Sequence, residues 1–306
     1  MKKPIIISTD PGIDDAVALA LALFSDELNV QLICPLFGNV GINYTVENTE
    51  KLINFFNKEV KIVPGSRQPL VKKIIDASDV HGKTGMEGYE FPIINVTRVD
   101  SSVTAIEAMH QVVNANETKT TIVGIGPLTD IALFIHQYPD DLAKVEELVL
   151  MGGALGRGNF GVLSEFNFAA DPEAAKIVFE SGLKIRVAPM EVGRQAKIMP
   201  DVSEKIKEFG NVGDMFYQLF SKYRGGSFHS GLNMYDALAI GMILEPSIFE
   251  EVYTHVEIET SSVLTAGASL IDLNGYLKME ENAYVAVSVD AKKFENWFVE
   301  SLRKTI

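Results

Sequence analysis

Ile5-Ile6-Ile7-Ser8-Thr9-Asp10-Pro11-Gly12-Ile13-Asp14-Asp15-Ala16-Val17-Ala18-Leu19 is the stretch that decides how this chain folds. Three isoleucines followed by two short hydroxyl residues make a β-branched run suited to a strand buried on both faces. Pro11-Gly12 breaks that run, and the sequence from Asp14 onward has the composition of a helix. A strand that passes through a tight turn directly into a helix opens a parallel α/β unit. The turn carries three carboxylates, Asp10, Asp14 and Asp15, at the carboxyl end of the strand.

The alternation continues outward from this unit. Residues 4–9, 30–37, 60–64, 120–125, 148–151 and 185–188 read as buried strands, and residues 14–24, 45–56, 103–114, 128–136 and 173–181 as amphipathic helices between them. Past residue 201 the pattern turns helical through 202–224 and 237–244. Two extended runs, 252–259 and 283–289, follow, then a closing helix over 292–303 in which Trp297 is expected to anchor the core. The fold class is therefore α/β, a mostly parallel central sheet flanked by helices, in a single domain over residues 1–306. Ligands of such sheets bind outside the carboxyl ends of the strands, so the chemistry is expected in the loops there.

The bulk composition narrows the ligand. A formal charge of −14 over 306 residues, with no run of Lys or Arg, excludes a large phosphate-binding surface and with it nucleic acid. Cys34 is the one cysteine, so any metal must be held by oxygen or histidine, and a reducing, cytoplasmic setting is expected. The apolar start at Ile5-Ile6-Ile7 is cut short by Asp10, too early for a secretory signal, and no segment sustains the roughly 18 apolar residues of a membrane span.

Three carboxylates in one turn repel one another, raise one another's pKa and invite a cation; an all-oxygen cluster selects a hard ion such as Ca²⁺ or Mg²⁺. Capping of the following helix would account for one of Asp14 and Asp15 but leaves two acids unexplained. An EF-hand loop is excluded because Gly12 stands where a ligand is needed and Asp15 where the glycine is needed. Gly156-Arg157-Gly158-Asn159-Phe160-Gly161 satisfies a dinucleotide-binding pattern, yet residues 163–171 intervene before a helix can start, so it is rejected.

Asp10-Pro11-Gly12-Ile13-Asp14-Asp15-Ala16 resembles the signature loop of the inosine–uridine-type nucleoside hydrolases. The resemblance runs along nearly the whole chain: Gly38-Asn39-Val40, His81-Gly82, Gly126-Pro127-Leu128-Thr129, Met151-Gly152-Gly153, Asn159, Glu165-Phe166-Asn167 and Asp171-Pro172-Glu173-Ala174-Ala175. His81-Gly82-Lys83-Thr84-Gly85-Met86 and Gly156-Arg157-Gly158-Asn159 are similar to the non-specific bacterial ribonucleoside hydrolase branch, which acts on purine and pyrimidine ribosides.

The resemblance implies a calcium ion held by Asp10, Asp15, the backbone carbonyl of Ile125 and Asp236, with ribose hydroxyls and water completing its shell. It implies that Asp10 is the general base for calcium-bound water in hydrolysis of the N-glycosidic bond. Asp14, Asn39 and Asn167 would bind the ribose hydroxyls, and Asn159 and Glu165 the 5′-hydroxyl. His81 either contacts the base or sugar or only punctuates its turn, whereas His110, His136 and His255 are expected to be structural. A homodimer or homotetramer is also implied, with small ribonucleosides as the partners.

The sequence departs from the family pattern at three places. Tyr235 stands before Asp236 where many members have the histidine that protonates the departing base; Tyr235 is thus a candidate donor, with His229, Tyr223 and Arg224 nearby in sequence. Asp130 replaces a usual Asn, and Met190-Glu191-Val192-Gly193 replaces a usual Leu-Asp-Val-Thr. Two other classes remain to be weighed. A non-catalytic calcium-dependent nucleoside or ribose binder of the same fold finds its support in Tyr235. Phosphoryl transfer with Mg²⁺ requires a P-loop or basic cradle, which the sequence lacks.

Overall fold

The computed structural model describes residues 2–93 and 97–306. Its centre is an eight-stranded sheet. Six of the strands are β1 (Lys3–Thr9), β2 (Leu28–Pro35), β3 (Lys61–Ile62), β4 (Thr120–Gly124), β5 (Val145–Met151) and β6 (Ile185–Ala188). The order across the sheet is Phe249–Thr254, Ala283–Val289, β6, β5, β4, β1, β2, β3. Every pairing is parallel except that between Phe249–Thr254 and Ala283–Val289 at one edge.

The strands divide their side chains between two cores with the period of two that a pleated strand imposes. Ile5 and Ile7 point into one core and Ile6 into the other. Ile33 is set apart in the same way from Leu32 and Cys34, and Val149 from Leu148 and Leu150. Burial on both faces explains why these strands read as unbroken apolar runs rather than alternating ones. Helices Ala105–Ala115, Thr129–Gln137 and Pro172–Phe179 cover one face; Ile13–Leu23, Ile42–Phe55, Tyr235–Leu244 and Ala291–Arg303 are among those covering the other.

Helix Ile13–Leu23 is buried from Ile13 to Ala22 and packs against helix Tyr235–Leu244, itself buried from Asp236 to Ile243. Small residues in both, Ala16, Ala18 and Ala20 in the first and Ala237, Ala239 and Gly241 in the second, suit close approach of two interior helices. That packing sets the two helix N-termini, and the acids they carry, against each other.

Several expectations need amendment. The helical stretch over 202–224 is two helices, Pro200–Lys207 and Gly210–Phe220, because Gly210 adopts φ 68°, which ends helical winding. The extended run over 252–259 divides at His255, and its second part, Val256–Ile258, pairs with Ser269–Ile271 in a separate small sheet. Trp297 is half-buried at the edge of the core against Phe294 rather than at its centre. Among the described residues no helix is long and apolar enough to cross a membrane.

Candidate active site

The loops that leave the carboxyl ends of β1, β2, β4, β5 and β6 meet around one cavity of about 490 Å³. Asp14, Asn39, His81, Ile125, Asn159, Glu165, Asn167, Tyr235 and Asp236 all line it. Asp10 and Asp15 lie beneath, fully buried.

Asp15 is the most tightly held of the acids. Its Oδ1 accepts from Thr9 Oγ1 at 2.6 Å, and its Oδ2 accepts from the Gly12 N–H at 2.9 Å and from the Asn39 amide at 3.1 Å. Asp10 Oδ2 accepts from the Asn39 N–H at 2.6 Å, but its Oδ1 is buried without a partner, as is Oδ1 of Asp14. Carboxylate oxygens of Asp14, Asp15 and Asp236 lie within 4.8 Å of one another. The compact trio thus contains Asp14 where the sequence led us to expect Asp10.

Burial pushes Asp10 well above the usual carboxylate range, and the charges of Asp15 and Asp14 push it further. Burial likewise raises Asp14 to about 6, against the stabilising Tyr223 hydroxyl. Asp15 is raised by burial and by Asp14; Asp236 is raised well above its ordinary value by burial and by Asp14, Asp15 and Asp10. Among the described residues the only cationic type within ion-pair distance of these acids is His81, 3.9 Å from Asp14. His81 accepts a hydrogen bond from the Ile13 N–H through Nδ1, and burial lowers its pKa to about 4, so it is neutral and does not balance the cluster.

The donor set fits a hard cation. Several carboxylates without cationic partners, two of them with orphaned oxygens, meet the N-termini of two helices, and all the available ligand atoms are oxygen. Ile125 lines the same cavity, and its carbonyl receives a long 3.4 Å contact from the Asn167 amide, which donates more closely to Met151 O at 3.1 Å.

The candidate sugar ligands split into two kinds. Asn39 and Asn167 are buried and tie strand-end loops together while facing the cavity. Glu165 caps helix Phe166–Ala170, accepting from the N–H groups of Asn167 and Phe168, and also from that of Gly153. Burial raises its pKa to about 7 against these bonds. Asn159 Oδ1 accepts from the Phe166 N–H at 2.8 Å, so it also braces the loop. The glycine-rich stretch 156–161 opens no helix, as expected.

His229 requires correction. It is exposed in the turn between Gly226–Ser227 and Gly231–Asn233, where the hairpin directs it to solvent, and it does not line the cavity. Tyr223 and Arg224 do line it, and the Tyr223 hydroxyl donates to Asn233 O at 3.1 Å. Of the other departures, Asp130 is buried away from the cavity with Oδ1 accepting from the Ser66 N–H, and Glu191 accepts from the N–H groups of Leu155 and Gly156. His110 is held by Asp141 at 2.6 Å and stacked on Tyr138, and His255 bonds Glu280 O, both remote from the cavity.

Sequence reasoning missed Arg194, Asn233 and Phe160, which also line the cavity, as does Met190 of the departing stretch 190–193. Arg194 and Asn233 flank Tyr235, whose phenol is raised by burial and lowered by the Arg194 guanidinium and the Asn233 amide. The one available signal was Gly193, a departure from the family pattern adjoining Arg194.

The profile of the family described as inosine-uridine preferring nucleoside hydrolase matches residues 5–296. A non-specific ribonucleoside hydrolase, RihC, of Klebsiella pneumoniae is 41% identical over 300 residues, covering 98% of both chains. RihC of Salmonella paratyphi B is 41% identical over 296 residues, covering 97% of this chain and 96% of that one. The solved structure of a purine-preferring ribonucleoside hydrolase from Gardnerella vaginalis shares the fold at a TM-score of 0.91 and 23% identity, covering 99% of each chain. A plant nucleoside hydrolase, PpNRh1, superposes at 0.89 with 27% identity and 99% coverage of each. With the acidic loop, the strand-end cavity and the matched length in agreement, the chain belongs to the inosine-uridine preferring nucleoside hydrolase family of N-glycosidases.

Proposed function

We propose that the protein hydrolyses purine and pyrimidine ribonucleosides to ribose and free base, with Ca²⁺ as its metal and Asp10 as general base. The observation that carries this reading is the buried acidic cluster, without cationic partners, beneath a cavity lined by Asn and acid side chains. The family is metal-dependent, and the all-oxygen donors favour a hard ion.

Asp10, Asp15, Asp236 and the Ile125 carbonyl would hold the cation, with Asp14 beside them, its carboxylate within 4.8 Å of those of Asp15 and Asp236. When bound, it supplies positive charge that orients sugar hydroxyls and acidifies water. Asp10 has one oxygen fixed by Asn39 and one free, so the free Oδ1 takes the proton of the attacking water. The water oxygen bonds to the anomeric carbon as the carbon–nitrogen bond to the base breaks. The ribosyl group carries positive charge at that point, and the surrounding carboxylates stabilise it electrostatically. Asn39, Asn167 and Asp14 bind ribose hydroxyls, with Asn159 and Glu165 at the far end of the sugar and His81 beside Asp14.

The protein acts in the cytosol as a homodimer or homotetramer. Solvent-facing Val263, Leu264 and Tyr276, 99%, 78% and 81% exposed, are apolar surface that such an assembly would cover.

The test is ribose release from inosine, uridine, cytidine and adenosine, with and without a calcium chelator. Release that stops on chelation and returns with Ca²⁺ is the expected result. Calcium binding without release from any substrate would instead favour a nucleoside-binding protein.

A further inference from the structure

The segment that leaves β5 is tethered one residue at a time. The Gly153 N–H donates to Glu165 Oε2 at 3.0 Å, and the Gly153 carbonyl accepts from the Met190 N–H at 3.1 Å. Both backbone groups of Ala154 are engaged by Ser269 Oγ, at 2.8 and 3.0 Å. The next two N–H groups converge on one carboxylate: Glu191 Oε2 accepts from Leu155 at 2.8 Å and Oε1 from Gly156 at 3.2 Å. Past that point the tethering stops. Among the described residues, no backbone–backbone hydrogen bond reaches 157–159.

The loop that follows is closed on itself. Phe160 and Ser164 exchange both backbone hydrogen bonds, at 2.9 and 3.2 Å, around Gly161, whose φ of 58° reverses the chain. A Cβ on Gly158 would lie 1.8 Å from the Ser164 carbonyl oxygen, so the two arms of the loop touch backbone to backbone. Such a unit moves with its stem. It brings Asn159 and Phe160 to the cavity wall. Asn159 Oδ1 is engaged by the Phe166 N–H, and its NH₂, without a partner among the described residues, remains as the donor. Glu191 itself does not line the cavity. It stands on helix Met190–Gln195, whose Met190 and Arg194 do, so its carboxylate joins two walls of the cavity.

We propose that Glu191 is a positioning residue for recognition of the 5′ end of the ribose: by holding the Leu155 and Gly156 N–H groups it fixes the stem of loop 157–164, and with it the reach of the Asn159 amide. The inference rests on the ribonucleoside hydrolase reading, in which Asn159 meets the 5′-hydroxyl, and adds what holds Asn159 there. It also gives a task to one of the departures from the family pattern. A carboxylate shared by two adjacent N–H groups makes charge-assisted bonds, which resist displacement more than neutral ones. With the stem fixed, the donor meets the sugar without the loop having first to be ordered.

The test compares inosine with 5′-deoxyinosine, which lacks the hydroxyl that Asn159 would meet. Glu191→Gln keeps the size of the side chain but offers one accepting oxygen, and its NH₂ confronts the second N–H. KM for inosine is expected to rise about tenfold, the worth of one hydrogen bond, with little change in kcat. KM for 5′-deoxyinosine should stay as in the unaltered protein. Equal changes on the two substrates, or none on inosine, would overturn the proposal, since a merely structural role does not read the 5′ position. In a double-mutant cycle, Glu191→Gln should add no loss on inosine once Asn159→Ala is present; additive losses would show that Glu191 does not act through Asn159. Hydrogen exchange gives a readout free of catalysis: the Leu155 and Gly156 amides should lose protection in Glu191→Gln, and unchanged protection would sink the clamp. Failure of the unaltered protein to hydrolyse either substrate would instead remove the underlying hydrolase reading, and the proposal with it.

Discussion

Asn39 holds Asp10 from two directions: its N–H donates to Oδ2 at 2.6 Å and its side-chain amide to the Asp10 carbonyl at 3.1 Å. The grip leaves Oδ1 as the one oxygen of that carboxylate without a partner. Its geometry depends on the residue before Asn39. A Cβ on Gly38 would fall 1.9 Å from Oδ2, so Gly38→Ala should displace the carboxylate and lower kcat on inosine by about 100-fold, with a smaller change in KM. Steady-state kinetics would check it; wild-type turnover in Gly38→Ala would mean that the orientation of Asp10 is immaterial.

Mutual repulsion in the acidic cluster makes a prediction opposite to the usual effect of altering a site. Asp236→Asn removes one of several buried acids that burial and their neighbours' charges disfavour, so the ion-free protein should gain stability at neutral pH. The same variant should lose most of the stabilisation that added Ca²⁺ gives the native protein. Urea denaturation with chelator and with excess Ca²⁺ measures both. A variant less stable than wild type without the ion would show that the charge is compensated in the fold.

Asp130 gives a pH dependence separate from the cavity. Burial raises its pKa from 3.8 to about 6, opposed by the hydroxyl and N–H of Ser66. The folded protein therefore keeps a proton that the unfolded chain releases in this window. Stability should be greatest below it and fall by about 3 kcal/mol as pH rises from 3.8 to about 6, levelling off above. Asp130→Asn keeps an oxygen for Ser66 and cannot ionise, so that part of the slope should vanish from denaturation curves measured across the window. Parallel curves for the two proteins would contradict the assignment.

Glu165 serves fold and site together. Its carboxylate caps a short helix and ties it to Gly153. Glu165→Ala should cost about 1–2 kcal/mol of stability through the lost cap. It should also raise KM for ribonucleosides more than for substrates lacking the 5′-hydroxyl. An equal effect on both would confine Glu165 to the cap.

The sheet was legible in the sequence because strands buried on both faces announce themselves as short apolar runs. Residues 185–188 and 283–289 coincide with observed strands end for end. The acidic loop was legible for a local reason: Asp10, Asp14 and Asp15 share one turn. Asp236 carries no such local mark, and the resemblance alone pointed to it; what brings it to the loop is packing between two interior helices far apart in sequence. Arg194 and Asn233 escaped notice because a lone Arg or Asn in a short helix or strand has no periodicity to read, and only the fold brings both to the cavity. His229 attracted attention by residue type, but the hairpin that carries it turns it outward. The break at Gly210 was hidden because apolar spacing continues across it.

The position of β1 between β2 and β4 bears on how the chain is made. In a nascent polypeptide Asp10, Asp14 and Asp15 emerge ahead of the other strands, and β1 cannot be flanked on both sides until β4 has followed. Asp236 emerges much later, so the fourth acid joins the three of the loop only when helix Tyr235–Leu244 docks on helix Ile13–Leu23. Synthesis from the N-terminus thus lets most of the sheet assemble around a loop still open to water. Completion of the acidic cluster is thereby left as a late step of biogenesis.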